Sequence, residues 1–241
     1  MPDQQQAKRP HFILRDTSQA VEFKAHSAGG RSTRDVPVLP RQQHGASLGG
    51  QIDNLKPAAT QAAQAQRDLQ LESGLGLQIQ FTSQPDVELA FESLANETKK
   101  IELLSVRHEN NRTFANVFVP DGGLAHFEKY VSDYLAEKKD SRGQARDHRK
   151  LLDAIESIRA AEVRALWTDD PALLPADLTT AFWWEVWLPV RGQGQRQVVV
   201  EDFKKLARLA ECVVSDKQVN FPERTVLLMY GSQQQLSRSV M

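Results

Sequence analysis

One cysteine, Cys212, is all that the 241 residues contain, so an intrachain disulfide and a cysteine-rich metal site are both excluded. That scarcity fits a reducing, cytoplasmic setting. Long apolar runs are missing as well. Nothing reaches the roughly 18 consecutive apolar residues of a membrane span, and the opening MPDQQQAKRPHFILRD has neither an apolar h-region nor a small-residue cleavage site. The sequence therefore predicts no membrane partner and no export by a standard signal. An excess of charge of one sign is also absent: 30 basic residues face 31 acidic ones, for a net charge of −1. Nothing global attracts nucleic acid or anionic lipid.

Motifs for cofactors and metals are missing too. There is no GxxxxGK[ST], and the pairs Gly29-Gly30, Gly49-Gly50 and Gly122-Gly123 do not stand in a strand-to-helix GxGxxG setting. The histidines His11, His26, His44, His108, His126 and His148 are scattered, with no HExxH or paired i, i+4 arrangement, and read as surface or capping residues. Cys212 lies at a helix-to-strand boundary with no base near it in sequence, as a buried small hydrophobe would. No cofactor, metal or catalytic residue is assigned.

What is present is periodicity. Residues 1–43, rich in Pro, Gly, Gln and Arg, read as an extended arm. Residues 44–73 read as a helical segment that Pro57 should kink or divide. In GLGLQIQF, Leu75, Leu77, Ile79 and Phe81 alternate with polar residues and glycine, which makes a strand. Pro85-Asp86 then opens an expected helix carrying Val87, Phe91 and Leu94. IELLSVRHE and RTFANVFVP are two strands joined at Asn110-Asn111, and Leu124, Phe127, Val131 and Tyr134 mark the next helix.

A charged linker, KKDSRGQARDHRK, leads into an expected connecting helix with Leu152, Ile155, Ile158 and Val163. AFWWEVWLPV follows, with three of the four tryptophans. In an extended chain Phe182, Trp184, Val186 and Leu188 point one way, and Trp183, Glu185 and Trp187 the other. Such a strand is either a buried central strand with one amphipathic face or a stacking platform for a ligand. A helix with Phe203, Leu206 and Ala210, two strands (CVVSDKQVNFPE and RTVLLMY) and the start of a helix complete the order.

The order strand, helix, strand, strand, helix thus occurs twice. The expected fold is α+β: two tandem ferredoxin-like modules at 74–138 and 182–241, the second truncated, with linker and connecting helix at 139–181. The last residues sit inside an amphipathic helix with no stop signal, so the natural chain is expected to continue.

Two constellations imitate chemistry. His44-Gly45-Ala46-Ser47 and Asp140-Ser141 resemble fragments of a serine-protease triad, but Arg142 stands where glycine is needed and no Gly-Thr-Ser nucleophile segment exists. RTFANVFV, residues 112–119, loosely resembles the RNP1 pattern of RNA-recognition motifs, with Thr113 in place of glycine and Asn116 in place of a stacking aromatic. RNA binding is a remote alternative.

Several stretches taken together are more specific: RPHFILRD, PRQQHGASL, GLGLQIQF, DVELAFESL, IELLSVR, NVFVPDGGLAHFEKY, WTDDPALLPAD, WWEVWLP and FPERTVLLMYGS. Along essentially the whole chain this pattern resembles the N-terminal region of large bacterial subtilisin-like serine peptidases of the S8 family, a subgroup often paired with an AAA-type ATPase. The resemblance implies a catalytic subtilase domain after Met241, with this region as its prodomain-like regulator. The alternative is a protein-interaction scaffold that recruits a partner such as the ATPase.

Overall fold

The computed structural model describes residues 36–73, 76–190 and 195–239. Helix α1 (Arg41–Asp53) and helix α2 (Lys56–Asp68) meet at Asn54-Leu55, and Pro57 sits in the first turn of α2, where its missing N–H leaves no helical bond unmade. The expected division at Pro57 is therefore present. The arm expected at residues 1–43 lies largely outside the described residues, as do Gly74 and Leu75.

Strand β1 (Leu77–Ser83) leads through two short 3-10 turns, Phe91–Ser93 and Glu97–Lys99, to β2 (Glu102–Glu109) and β3 (Arg112–Val119). Asn110 and Asn111 join β2 to β3 at φ 50° and 60°, the left-handed geometry that a two-residue hairpin demands and asparagine tolerates. Helix α3 (Leu124–Leu135) buries Leu124, Phe127, Val131 and Tyr134, the stripe read from the sequence. After helix α4 (Arg149–Leu152) comes β4 (Ile155–Ala160). The four strands form an antiparallel sheet in the order β2-β3-β1-β4.

Two expectations fail here. The helix expected after Pro85 does not form: Asp86 adopts φ 61° and Ala90 a non-helical ψ of 80°, leaving the two 3-10 turns. The place beside α3 on the sheet is taken instead by α1, whose Leu48 and Ile52 are 0% and 1% exposed within one core with Ile79, Phe81, Val131 and Ile155. Each such aliphatic side chain contributes about 1.5–3 kcal/mol on burial. Gly45 permits the close crossing, since a Cβ there would lie 2.6 Å from Leu135 Cδ2.

The expected connecting helix is also replaced, by α4 and β4. Ile155 and Ile158 have helical spacing because the β1–β4 register slips by one residue at Thr82/Ser83, which turns both isoleucines to the core.

Two further 3-10 turns, Val163–Leu166 and Pro171–Leu173, precede the second unit: β5 (Ala181–Pro189), α5 (Arg196–Leu209), β6 (Val213–Asn220), β7 (Arg224–Ser232) and α6 (Gln233–Ser239). Its sheet is antiparallel in the order β5-β7-β6. The tryptophan strand is thus an edge among the described strands, not a central one. Trp184, Ala207, Ala210, Cys212, Met229 and Val163 form a second core, with Trp184 Nε1 donating to Gly231 O at 2.8 Å.

The turn around Val163 joins the two units. Ala165 O accepts from Asn116 Nδ2 at 2.6 Å on the first sheet, while Trp167 packs edge-on against Trp184 at 5.6 Å in the second. Ser73 N donates to the buried Asp202 of α5 at 2.7 Å. The chain is a mixed α+β protein with two antiparallel sheets.

Candidate docking surface

The helix-facing side of β5 carries Phe182, Trp184, Val186 and Leu188, and period-two geometry sends Trp183, Glu185 and Trp187 to the opposite side. No described element covers that side, and Trp183 and Trp187 are each 55% exposed. The register places Trp183 beside Tyr230 and Tyr230 beside Val213; Glu185 beside Leu228; and Trp187 beside Val226, with Val226 beside Val219. The two outer rows are apolar across all three strands, while the middle row runs from the Glu185 carboxylate to Leu228 and ends at the break in β6 that holds Ser215, Asp216 and Lys217. Trp183 lies 5.3 Å from Tyr230 between ring centroids, and Trp187 stacks on Phe221 at 5.7 Å and 6°. Glu185 Oε1 accepts from Trp187 Nε1 at 2.7 Å.

Single exposed apolar side chains are ordinary on a protein surface, but a contiguous row of aromatic and branched residues on one sheet face marks a contact surface. This arrangement can bury apolar area against a partner and fix its register through one anionic group. It offers no nucleophile or paired acid and base.

The equivalent face of the four-stranded sheet is covered at its middle. Gln80, 0% exposed, and Asn116, 2% exposed, share a hydrogen bond of 3.1 Å, and Asn116 also bonds Ser105 Oγ at 2.9 Å and Ala165 O. Arg159 Nε and Nη2 both donate to Gln80 Oε1, at 3.1 and 2.6 Å. Phe114, in the RNP1-like stretch, carries the Arg107 guanidinium over its ring at 5.2 Å. With Asn116 buried beneath Ala165, β3 presents no pair of open aromatics for stacked bases.

The residues that imitate protease motifs have structural roles. His44 Nε2 lies 2.9 Å from Leu152 O, its ring edge-on to Tyr134. Asp140 accepts the backbone N–H groups of Arg142 and Gln144, which hold its carboxyl below the usual range. His108 Nδ1 meets Thr113 Oγ1 at 3.1 Å. His148 stacks on the Tyr130 ring at 3.7 Å, and His126 packs against the same ring at 4.4 Å. Desolvation lowers the pKa of both imidazoles, with their mutual repulsion adding to the effect at His126. His11 and His26 lie outside the described residues. Among the described residues no three His, Cys, Asp or Glu side chains gather to hold a metal ion. Cys212 is buried, and desolvation pushes its thiol pKa up, away from the reactive thiolate.

A buried polar network, which the sequence did not reveal, ties α1 to the residues before β4. Arg41 Nη1 donates to Tyr134 O at 2.6 Å and pairs with Asp147 at 2.7 Å, while its guanidinium lies 4.6 Å from the Tyr134 ring. Burial opposes ionisation of Asp147, but the hydrogen bond and charge of Arg41 together with the backbone N–H of Arg149 outweigh it and lower the pKa. Tyr134 OH donates to Asp153, which also pairs with Arg149. Burial, then the Asp153 contact, raise the tyrosine pKa.

No helix of the described residues is long and apolar enough to cross a membrane. The described residues make a mixed α+β fold with one open aromatic sheet face. The model of one family, described as the Y4kK N-terminal domain, matches residues 42–162, and the chain belongs to that family. The match spans α1 through β4 and stops short of the three-stranded sheet. No curated protein and no solved structure matches the chain.

Proposed function

We propose that the chain is a non-catalytic, prodomain-like region that docks on and regulates a subtilisin-like catalytic domain through the open face of the β5-β7-β6 sheet. The observation that carries this reading is the uncovered row of Trp183, Tyr230, Leu228, Trp187 and Phe221. An antiparallel sheet with helices on one side and apolar residues on the other has one free surface to bury, and a globular partner can cover it.

The architecture supports the same reading. The order β2-β3-β1-β4 with all neighbours antiparallel is that of a ferredoxin-like module, here with α1 in place of the first crossover helix. The order β5-β7-β6 is the same arrangement less one edge strand. Ferredoxin-like units are similar to subtilase propeptides, an argument from fold analogy. The likeness of the sequence to the N-terminal region of S8 peptidases points to the same partner, in a cytoplasmic setting.

The test is to add the purified chain to a subtilisin-like catalytic domain produced without it, and to follow peptide hydrolysis and refolding yield. The reading expects no peptidase activity from the chain alone, and inhibition or improved refolding when it is present. Unchanged activity and yield would contradict it. Capture of an AAA-type ATPase with no effect on the protease would favour the scaffold reading.

A further inference from the structure

The two edges of the three-stranded sheet differ. β6 is broken in register between Val214 and Gln218, and the intervening residues include Asp216 and Lys217. Bulges and charges of this kind blunt an edge against further pairing. β5 has no such break and only a single charge. Its nine residues pair with β7 without a slip, and Glu185 is its one charged residue.

The outer edge of β5 can be read from its inner one. Val190 N donates to Glu223 O at 3.1 Å, just beyond the last β5–β7 pair. Backbone direction alternates along an antiparallel ladder, so Phe182, Trp184, Val186 and Leu188 turn their N–H and C=O groups toward β7. Ala181, Trp183, Glu185 and Trp187 turn theirs outward. Pro189, which has no N–H to offer, falls at an outward position, where proline is tolerated.

The first sheet contains the same arrangement with the edge filled. Ala161 N donates to Gln78 O at 2.7 Å, so Gln78 and Gln80 direct their backbone toward β4 while their side chains lie on the face away from the helices. Gln80, at the middle of β1, is opposite Arg159 of β4, whose guanidinium donates twice to its side-chain oxygen. Glu185 stands at the middle of β5 with the same backbone direction and the same face. It carries a full negative charge where Gln80 carries an amide oxygen.

We propose that the outer edge of β5 receives an antiparallel strand from a partner protein, with an arginine or lysine set beside Glu185. Main-chain hydrogen bonds supply the affinity, and the charge pair fixes the register. A second copy of this chain fits less well, because pairing β5 with itself about its centre sets Glu185 against Glu185. The proposal concerns the edge and does not require the open face to be the docking surface.

The probe is a capped, fluorescent peptide copying residues 153–162, which contain β4 and Arg159, titrated into the whole chain and followed by anisotropy. Binding is expected. Glu185→Pro, which removes an outward N–H and leaves the β7 ladder intact, and Glu185→Lys should each weaken it about tenfold or more, the loss expected for a charge-assisted hydrogen bond. The Glu185→Lys chain should regain binding to a peptide with glutamate in place of Arg159. Circular dichroism checks that both variants fold; if the proline variant does not, the charge exchange decides alone. Absence of binding, or binding indifferent to the charge exchange, would overturn the proposal. A dimer in sedimentation that Glu185→Lys strengthens or leaves unchanged would overturn it as well, and one that Glu185→Pro dissolves would assign the edge to a second copy.

Discussion

Tyr134 OH donates to Asp153 Oδ1 at 2.5 Å, and this bond ties the last turn of α3 to the residue that caps α4 just before β4. Both side chains are buried, and Asp153 shares its other oxygen with Arg149. Removing the hydroxyl leaves a buried carboxylate oxygen without its donor. Tyr134→Phe should therefore lower unfolding free energy by about 1–3 kcal/mol, measured by urea denaturation with unchanged m-value.

Trp184 is the anchor of the second core, packed against Phe182 and Trp167 with its indole N–H on Gly231 O. Trp184→Ala should cost about 3–5 kcal/mol, because the cavity and the orphaned carbonyl add to the lost burial. A variant that melts like the parent would remove the core role.

Trp187 and Trp184 lie on the same strand and face opposite ways, so their substitutions should separate stability from binding. Trp187→Ala removes only the stack on Phe221 and the bond to Glu185, which together cost about 1 kcal/mol or less of stability. Its effect on binding to a catalytic domain should be about tenfold or more, as for a tryptophan at the centre of an interface.

Acid should destabilise the fold through two histidines before Asp147 and Asp202 lose their charge. His126 and His148 have folded-state pKa values below the ordinary 6.5, because burial disfavours their charged forms. The unfolded chain therefore takes up protons first as pH falls. Stability from these two groups is fully present above about pH 6.5 and is lost on acidification toward their folded-state values. Melting temperature should drop over that range, and His126→Phe should flatten the drop. Asp147 and Asp202, both held below the ordinary carboxylate value of 3.8, add a second loss at lower pH.

The elements legible in the sequence were those whose pattern is local. Alternation at Leu77, Ile79 and Phe81 marks β1, Asn110-Asn111 marks the hairpin, and Leu124, Phe127, Val131 and Tyr134 mark α3. β4 was hidden because one bulged residue gives Ile155 and Ile158 the spacing of a helix. The helix expected at Val87, Phe91 and Leu94 yields to α1, a tertiary fact that no local window contains. The same limit applies to the candidate surface. Parity separates Trp183, Glu185 and Trp187 from Trp184, but only the packed fold tells that Gln80 and Asn116 are covered while the tryptophans are open. Internal equivalence of Gln80 and Glu185 becomes visible only once both registers are known.

The most direct measurement is calorimetric titration of the chain, and of a Leu228→Asp variant, into a subtilisin-like catalytic domain. Leu228 sits at the middle of the open face on the central strand, 45% exposed, so an aspartate there leaves the core intact and places a charge inside the proposed contact. The account predicts saturable binding by the parent chain with a negative heat-capacity change, and loss of binding by a variant that melts at nearly the parent temperature. Equal binding by both chains, or binding by neither, would contradict it.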